Sequence, residues 1–460
     1  MKPTSLRFLA ASSLLLSMCA SASVRPHYGG NLRVMMQAAP VSLDPADTGN
    51  VDNSAVRNIA PLVFDTLVRL DDRGAPQPAL ADSWQLDTAT HSWHIHLRCG
   101  ITFTDGLVLT PEMAASSLLA ANSSWKVNAF ADFITVQYAP AEEIDLPALL
   151  ALPRNSIVEH LNGNLIGTGP FVIAKWEPGK ELALTARKDY WDGRPFLDSI
   201  TIEMNQTPRA QLLAFDLHQA DMIEIEPDQV RRSLAEGREV EQSKPAQLLA
   251  LVFSPNGQSQ DSLSEDELRL RAALAASVDR NSLNELLQGA GSPAGGLLPN
   301  WISGYEFVFP SSLNLQSARQ QRSLIKGPAK LTLSYDPSDR AMLLVAQRIV
   351  LNARDAGITV QISSGAVADA RLARADLISL DPRIALRGLA QELEMPLPQI
   401  DRYSMEDLYT AENQLLQTQH VIPLLHLRTA IAVNASVHNV DEQPNGAFDL
   451  KNAWLESGRR

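Results

Sequence analysis

Three short stretches of this 460-residue chain carry side chains that could do chemistry. Gly167-Thr168-Gly169-Pro170 has the glycine spacing of a phosphate cradle. A cradle offers free backbone N–H groups at a helix start, usually with a lysine at fixed spacing. Here Pro170 removes one N–H, and Phe171 to Trp176 (FVIAKW) reads as a strand. A tight turn into a hairpin is therefore expected. His91, His94, His96 and Cys99 bring imidazole and thiol donors that suit Zn or Ni. His94 and His96 share one face of an alternating strand, which is more often a solvated face. A tetrahedral set would need partners from elsewhere, so no metal is expected. Ser123-Ser124-Trp125-Lys126 contains S-x-x-K. Its companion boxes S-D-N and K-T-G do not occur, nor do G-x-S-x-G or H-E-x-x-H. An exported hydrolase would rest on that one tetrapeptide.

Charge excludes another class. Lys and Arg number 39 against 52 Asp and Glu, a net charge of −13. Nucleic-acid binding wants a basic footprint, so nucleic acid is not an expected partner. The N-terminus has a short basic region (Lys2, Arg7), an apolar run from Leu9 to Met18 too short to span a bilayer, and Ala20-Ser21-Ala22 as a small-x-small cleavage site. Residues 1–22 are thus expected to be a secretory signal peptide, and the mature chain an exported, soluble protein. Cys19 offers a lipid anchor as the lesser alternative, since Met18 is larger than the residue that precedes a lipidated cysteine. Only Cys99 would then remain, which permits no intrachain disulfide.

The elements that must position any site follow from pattern. Residues 31–36 (NLRVMM) read as a strand. Asn58 to Leu70 mixes apolar and polar positions. "SWHIHLRCGITF" alternates, with Trp93, Ile95 and Leu97 on one face. Thr110 caps a helix with Pro111 at its first position. Glu177-Pro178-Gly179-Lys180 has the type II turn pattern, so 171–187 is a β-hairpin. Ser264-x-x-Glu267 is a capping box, and Asp279 caps a second helix. "KLTLSY", a helical face of Met342, Val345, Ala346, Ile349, Val350 and Ala353, a stop at Gly357 and "ITVQI" form a β-α-β unit. Trp84, Trp93, Trp176, Tyr190 and Trp191 are expected mostly as core residues.

Several ordered blocks resemble the solute-binding protein family 5, the dipeptide-, oligopeptide- and nickel-binding components of ABC importers. "SLDPAD" (42–47) follows the first strand. "VFDTLVRLDDRGAPQPALADSWQL" (63–86) and "WHIHLRCGITFTDGLVLTPEM" (93–113) come next. "GTGPFVIAKWEPGKELALTARKDYWDGRPFLDSITI" (167–202) is the most specific. "RLRAALAASVDRNSL", "LYTAENQLLQTQHVIPLLHL" and "FDLKNAWLE" complete a collinear match over nearly the whole mature chain. The resemblance implies an α/β, two-lobed periplasmic binding protein of type II, with a hinge of crossing strands and a central ligand cleft. Lobe I would take 25–245 plus 428–460, and a shortened lobe II 246–427. It further implies a monomer, not an enzyme, without cofactor, that delivers a small-molecule or peptide-like ligand to permease subunits in the inner membrane.

By position, the ligand-binding candidates are Gln37 after the first strand, Gln247 and Leu248 on the crossing strand, Trp301, and Asp381 with Arg383. The family's glycine-tryptophan segment ending in a ligand-binding aspartate should follow "ADLISL"; here "DPRIALRG" stands instead. Asp381 would pair a cationic end of the ligand and Arg383 an anionic end. The shortened lobe II leaves a second reading, a non-transporting periplasmic sensor or scaffold of the same fold.

Overall fold

The computed structural model describes residues 25–47, 54–137, 145–161, 163–254, 263–305, 309–363, 368–398, 400 and 404–456. The expected leader and Cys19 lie outside them. Among the described residues no helix is long and apolar enough to cross a membrane.

One sheet runs through both halves of the molecule. Its strands lie in the order 171–177, 181–186, 199–203, 31–35, 222–224, 421–433, 239–253, 370–376, 330–334 and 359–363. Asn31–Met35 pairs parallel with Ser199–Glu203 and Met222–Glu224. Lys330–Ser334 pairs parallel with Thr359–Ser363 and Ala370–Asp376. These two parallel groups form the centres of two lobes.

The long strands Glu239–Phe253 and Val421–Val433 are antiparallel and belong to both lobes. Glu239 to Gln242 faces Ala430 to Val433, beside Met222–Glu224 in lobe I. Gln247 to Phe253 pairs with Ala370–Asp376 in lobe II. Between them the register shifts on both sides of Pro245. Proline supplies no ladder N–H, so the ladder is interrupted at the crossing point. Beyond it, alternation sends Leu249, Leu251 and Phe253 into one core, and Leu248, Ala250 and Val252 into the other. A strand buried on both faces reads as an unbroken apolar run, which is what LLALVF is.

Lobe I is closed by the helix Ser54–Val63, whose Ile59 and Val63 join Leu32, Phe171, Ile200 and Ile202. A smaller core lies under the sheet Ala81–Asp87, Ser92–Leu97, Phe133–Gln137 and Lys126–Ala129, covered by the helix Pro111–Ala121. In lobe II, Asp339 caps the helix Arg340–Asp355 through the N–H groups of Ala341 and Met342. Met342, Val345, Ala346, Ile349 and Ala353 of the expected face are buried, and Val350 packs half-buried against the same core.

Lobe II also buries a carboxyl. Glu412, on the helix Met405–Gln417, has no exposed surface (0%). Its Oε1 accepts the N–H groups of Leu297 (2.6 Å) and Leu298 (3.0 Å), and its Oε2 accepts the Tyr305 hydroxyl (2.9 Å). These donors favour the charged form, but burial outweighs them and pushes the group from 4.5 up to about 7. A raised carboxyl adds stability that is complete below its unfolded value and is lost as pH rises through its folded value. Glu412→Gln stays neutral, so it should gain on wild type between pH 5 and 8, by at most about 3 kcal/mol. Parallel melting curves across that range would show that Glu412 is not the titrating group.

Candidate functional site

Gly167-Thr168-Gly169-Pro170 meets the C-terminal end of the helix Ser54–Val63. The Gly169 N–H donates to the Val63 carbonyl at 3.0 Å. A Cβ on Gly167 would lie 2.2 Å from that oxygen, and one on Gly169 would lie 2.4 Å from the Val63 carbonyl carbon. The glycines serve a close approach of two backbones. Between them, Thr168 Oγ1 donates to Asp65 Oδ2 at 3.0 Å. Tyr190 Oη and Trp191 Nε1 donate to the same carboxylate, each at 2.9 Å. Burial raises the Asp65 carboxyl despite these three donors. The "GTGP" and "DYWDG" blocks thus converge on one side chain.

That convergence holds Tyr190 and Trp191 in the wall of a cavity of about 410 Å³. Leu62 and Phe64 stand beside them, Ile378 to Leu380 come from lobe II, and Phe448 and Asp449 from the C-terminal segment. Tyr190 and Trp191, expected as core residues, are here ligand-facing candidates. Arg69, Asp72, Asp192, Asp449 and Lys451 also line it, so apolar walls carry charge of both signs. This mixture suits a small polar solute.

Among the described residues, three ion pairs tie the two lobes together. Arg57 Nη2 meets Asp376 Oδ2 at 2.8 Å, and its Nη1 donates to the Leu377 carbonyl at 3.2 Å. Arg374 lies 3.6 Å from Glu226. Arg383 Nη2 is 3.1 Å from Asp145 Oδ2. Ala148 and Leu152 of lobe I share a small apolar cluster with Ile378 and Ile384 of lobe II.

None of the six residues expected at the site lines the 410 Å³ cavity. The Gln37 N–H donates to Glu224 Oε2 at 2.6 Å, where burial holds that carboxyl up at about 7. Gln247 Nε2 donates to Asp376 Oδ1 at 2.8 Å, one step from Arg57. Leu248 is 1% exposed and belongs to an apolar core of lobe II. Trp301 Nε1 donates to the Pro245 carbonyl at 2.7 Å, and Lys244 Nζ sits 4.9 Å from its ring centroid. Both contacts brace the crossing point. Asp381 is 2% exposed and caps the helix Pro382–Glu392 by accepting the N–H groups of Arg383 and Ile384. Its other oxygen takes Arg383 Nη2 at 3.1 Å. Arg383 lines a smaller inter-lobe cavity of about 180 Å³ with Arg154 and Arg387.

Of the remaining chemical motifs, only Trp125 of the S-x-x-K stretch reaches the smaller inter-lobe cavity. His94 and His96 lie against Phe133, with ring centroids 5.5 and 5.3 Å away. Among the described residues no group of three or more His, Cys, Asp or Glu is placed to hold a metal. Ser123 and Lys126 are exposed around a surface turn.

Two α/β lobes on crossing strands, with a cavity walled by both, define a two-lobed binding-protein fold of the periplasmic type II class. The chain belongs to the bacterial extracellular solute-binding proteins, family 5, whose "Middle" sequence model matches residues 75–376. It is 24% identical over 325 residues to the nickel-binding protein NikA of Staphylococcus aureus, covering 65% of this chain and 64% of that protein. It is 25% identical over 344 residues to the di/tripeptide-binding protein 2 of Pseudomonas aeruginosa, covering 64% of this chain and 63% of that protein. The alignments therefore span less than two thirds of these two relatives. The fold is similar to that of the ABC transporter-associated periplasmic binding protein DppA from Helicobacter pylori, in complex with the peptide STSA. The TM-score is 0.76 at 17% identity, over 94% of this chain and 99% of that one.

Proposed function

We propose that this protein is the solute-binding component of an ABC importer. It captures a small peptide-like solute between its lobes and presents it, as an exported monomer, to permease subunits in the membrane. The observation that carries this reading is the 410 Å³ cavity with walls from both lobes and charges of both signs. A zwitterionic solute finds partners there for both ends. Its relatives supply the chemical class: one is named for di- and tripeptides, and the DppA structure holds a peptide.

Closure by rotation at the crossing strands needs no covalent step. It requires only that the solute favour the closed state over the open one. In this reading Arg383 acts as an inter-lobe clasp, and Asp381 orients it from the helix cap.

Native mass spectrometry of protein purified from its own periplasm tests the proposal. A co-purifying small solute is expected. Protein that stays empty and instead carries a protein partner would replace this reading with the sensor or scaffold one.

A further inference from the structure

Arg57 is a charged side chain in a place that is costly for it. It is 5% exposed, on a helix whose other buried residues are mostly apolar, and it lines the cavity. Two of its three nitrogens face lobe II, through Asp376 Oδ2 and the Leu377 carbonyl. Its Nε is buried with no hydrogen-bond partner. Nothing described in lobe I satisfies this guanidinium. Asp376, by contrast, has a second partner in Gln247 and donates its own N–H to Glu392 Oε2.

Closure therefore does two opposing things at Arg57. It gains an ion pair and a carbonyl contact. It also strips a guanidinium of water and leaves one N–H unbonded. A buried ion pair commonly does no better than break even against desolvation, and an unmade hydrogen bond on a charged group adds a further penalty. The backbone on both sides of the contact leads straight to the cavity wall. Arg57 is followed by Asn58, Pro61 and Leu62 of the lobe I wall, and Leu377 by Ile378, Ser379 and Leu380 of the lobe II wall.

We propose that Arg57 is the positioning residue that makes closure conditional on solute. Its pair with Asp376 selects the closed geometry without stabilising it, so that the lobes stay open until a solute fills the space between Leu62 and Leu380. This rests on the solute-binding reading for its purpose, but its test is made without solute.

The test is an inter-lobe distance measurement on protein unfolded and refolded free of bound small molecules. Spin labels go at Leu213→Cys in lobe I and Leu351→Cys in lobe II, both surface positions (58% and 43% exposed), with Cys99→Ser. An apolar pair, Arg57→Met with Asp376→Met, removes the desolvation penalty. It should raise the closed-to-open ratio about tenfold or more over wild type. Arg57→Gln with Asp376→Asn keeps two neutral, hydrogen-bonding side chains; it should shift the ratio the same way and covers misfolding of the apolar pair. A distance distribution that stays as open as wild type in both, or opens further, overturns the proposal. Because no solute enters the measurement, that result leaves the importer reading standing. An empty protein in the mass-spectrometric test would remove the importer reading alone.

Discussion

Asp376→Ala should hold the two lobes apart. The substitution removes the carboxylate bonded to the Arg57 guanidinium, which is 5% exposed in the closed cleft, and leaves it only the longer-range charge of Glu392. Removing one partner of a buried pair typically costs about 3–5 kcal/mol, because the remaining charge has been stripped of water for nothing. Here the molecule has a way out: opening the cleft returns Arg57 to solvent. The penalty should therefore fall on the closed state, not on the folding of either lobe. Small-angle scattering should show a larger radius of gyration than wild type. Binding of any co-purified solute should weaken by a factor of roughly 100 or more, as the competent state becomes rare. Unfolding of the separate lobes should change little. An unchanged radius together with unchanged affinity would show that the Arg57–Asp376 contact does not govern closure.

Gly169→Ala should be among the most damaging single-methyl changes in the chain. The added carbon would lie 2.4 Å from the Val63 carbonyl carbon, 2.6 Å from its oxygen and 2.7 Å from the Phe64 nitrogen. All three are backbone atoms and cannot rotate away. Relief requires the helix Ser54–Val63 to move off the turn, which also breaks the hydrogen bond from the Gly169 N–H to Val63. A loss of about 3 kcal/mol or more is expected, at the upper end for overpacking. Gly193→Ala is the control. Gly193 has φ +99 but nothing within 4 Å of its added carbon. Only backbone strain applies there, about 1–2 kcal/mol. Urea midpoints for the two variants should separate clearly; equal losses would mean that the close approach is relaxed in solution.

Local chemistry was legible in the sequence wherever a few neighbours decide the outcome. Glu177-Pro178-Gly179-Lys180 turns the hairpin Phe171–Glu177 to Glu181–Ala186, with Gly179 at φ +71. Ser264 and Glu267 form the reciprocal capping box. Asp279 accepts the N–H groups of Asn281 and Ser282. The helix Ser54–Val63 was harder to read. Pro61 sits inside it, and Arg57 and Asn58 interrupt its apolar pattern, although both are buried. Those two residues are the sequence signal that was available: polar side chains on a buried helical face usually have a reason to be there.

The cleft itself was less legible, because its contacts join distant parts of the chain. Arg57 and Asp376 are 319 positions apart, and Asp65 and Trp191 are 126 apart. Nothing in the local pattern of either partner announces the other. Asp381 shows the reverse case. Asp-Pro at 381–382 is the same cap-then-proline signal as Thr110-Pro111, and its carboxylate is engaged in just that way. Reading it as a helix start needed no knowledge of the fold.

The shared sheet also fixes an order of assembly during synthesis. Lobe II is drawn from one continuous stretch between the two crossing strands, whereas the lobe I core includes Phe448, Leu450 and Ala453 from the far end of the chain. Asn58 Oδ1 waits for the N–H of Phe448, 390 residues later. A chain emerging N-terminus first can complete lobe II while the apolar face of lobe I is still uncovered. The last thirty or so residues then act as the closing piece of the domain that began the chain, and loss of even a short C-terminal stretch would be felt first at the opposite end of the sequence.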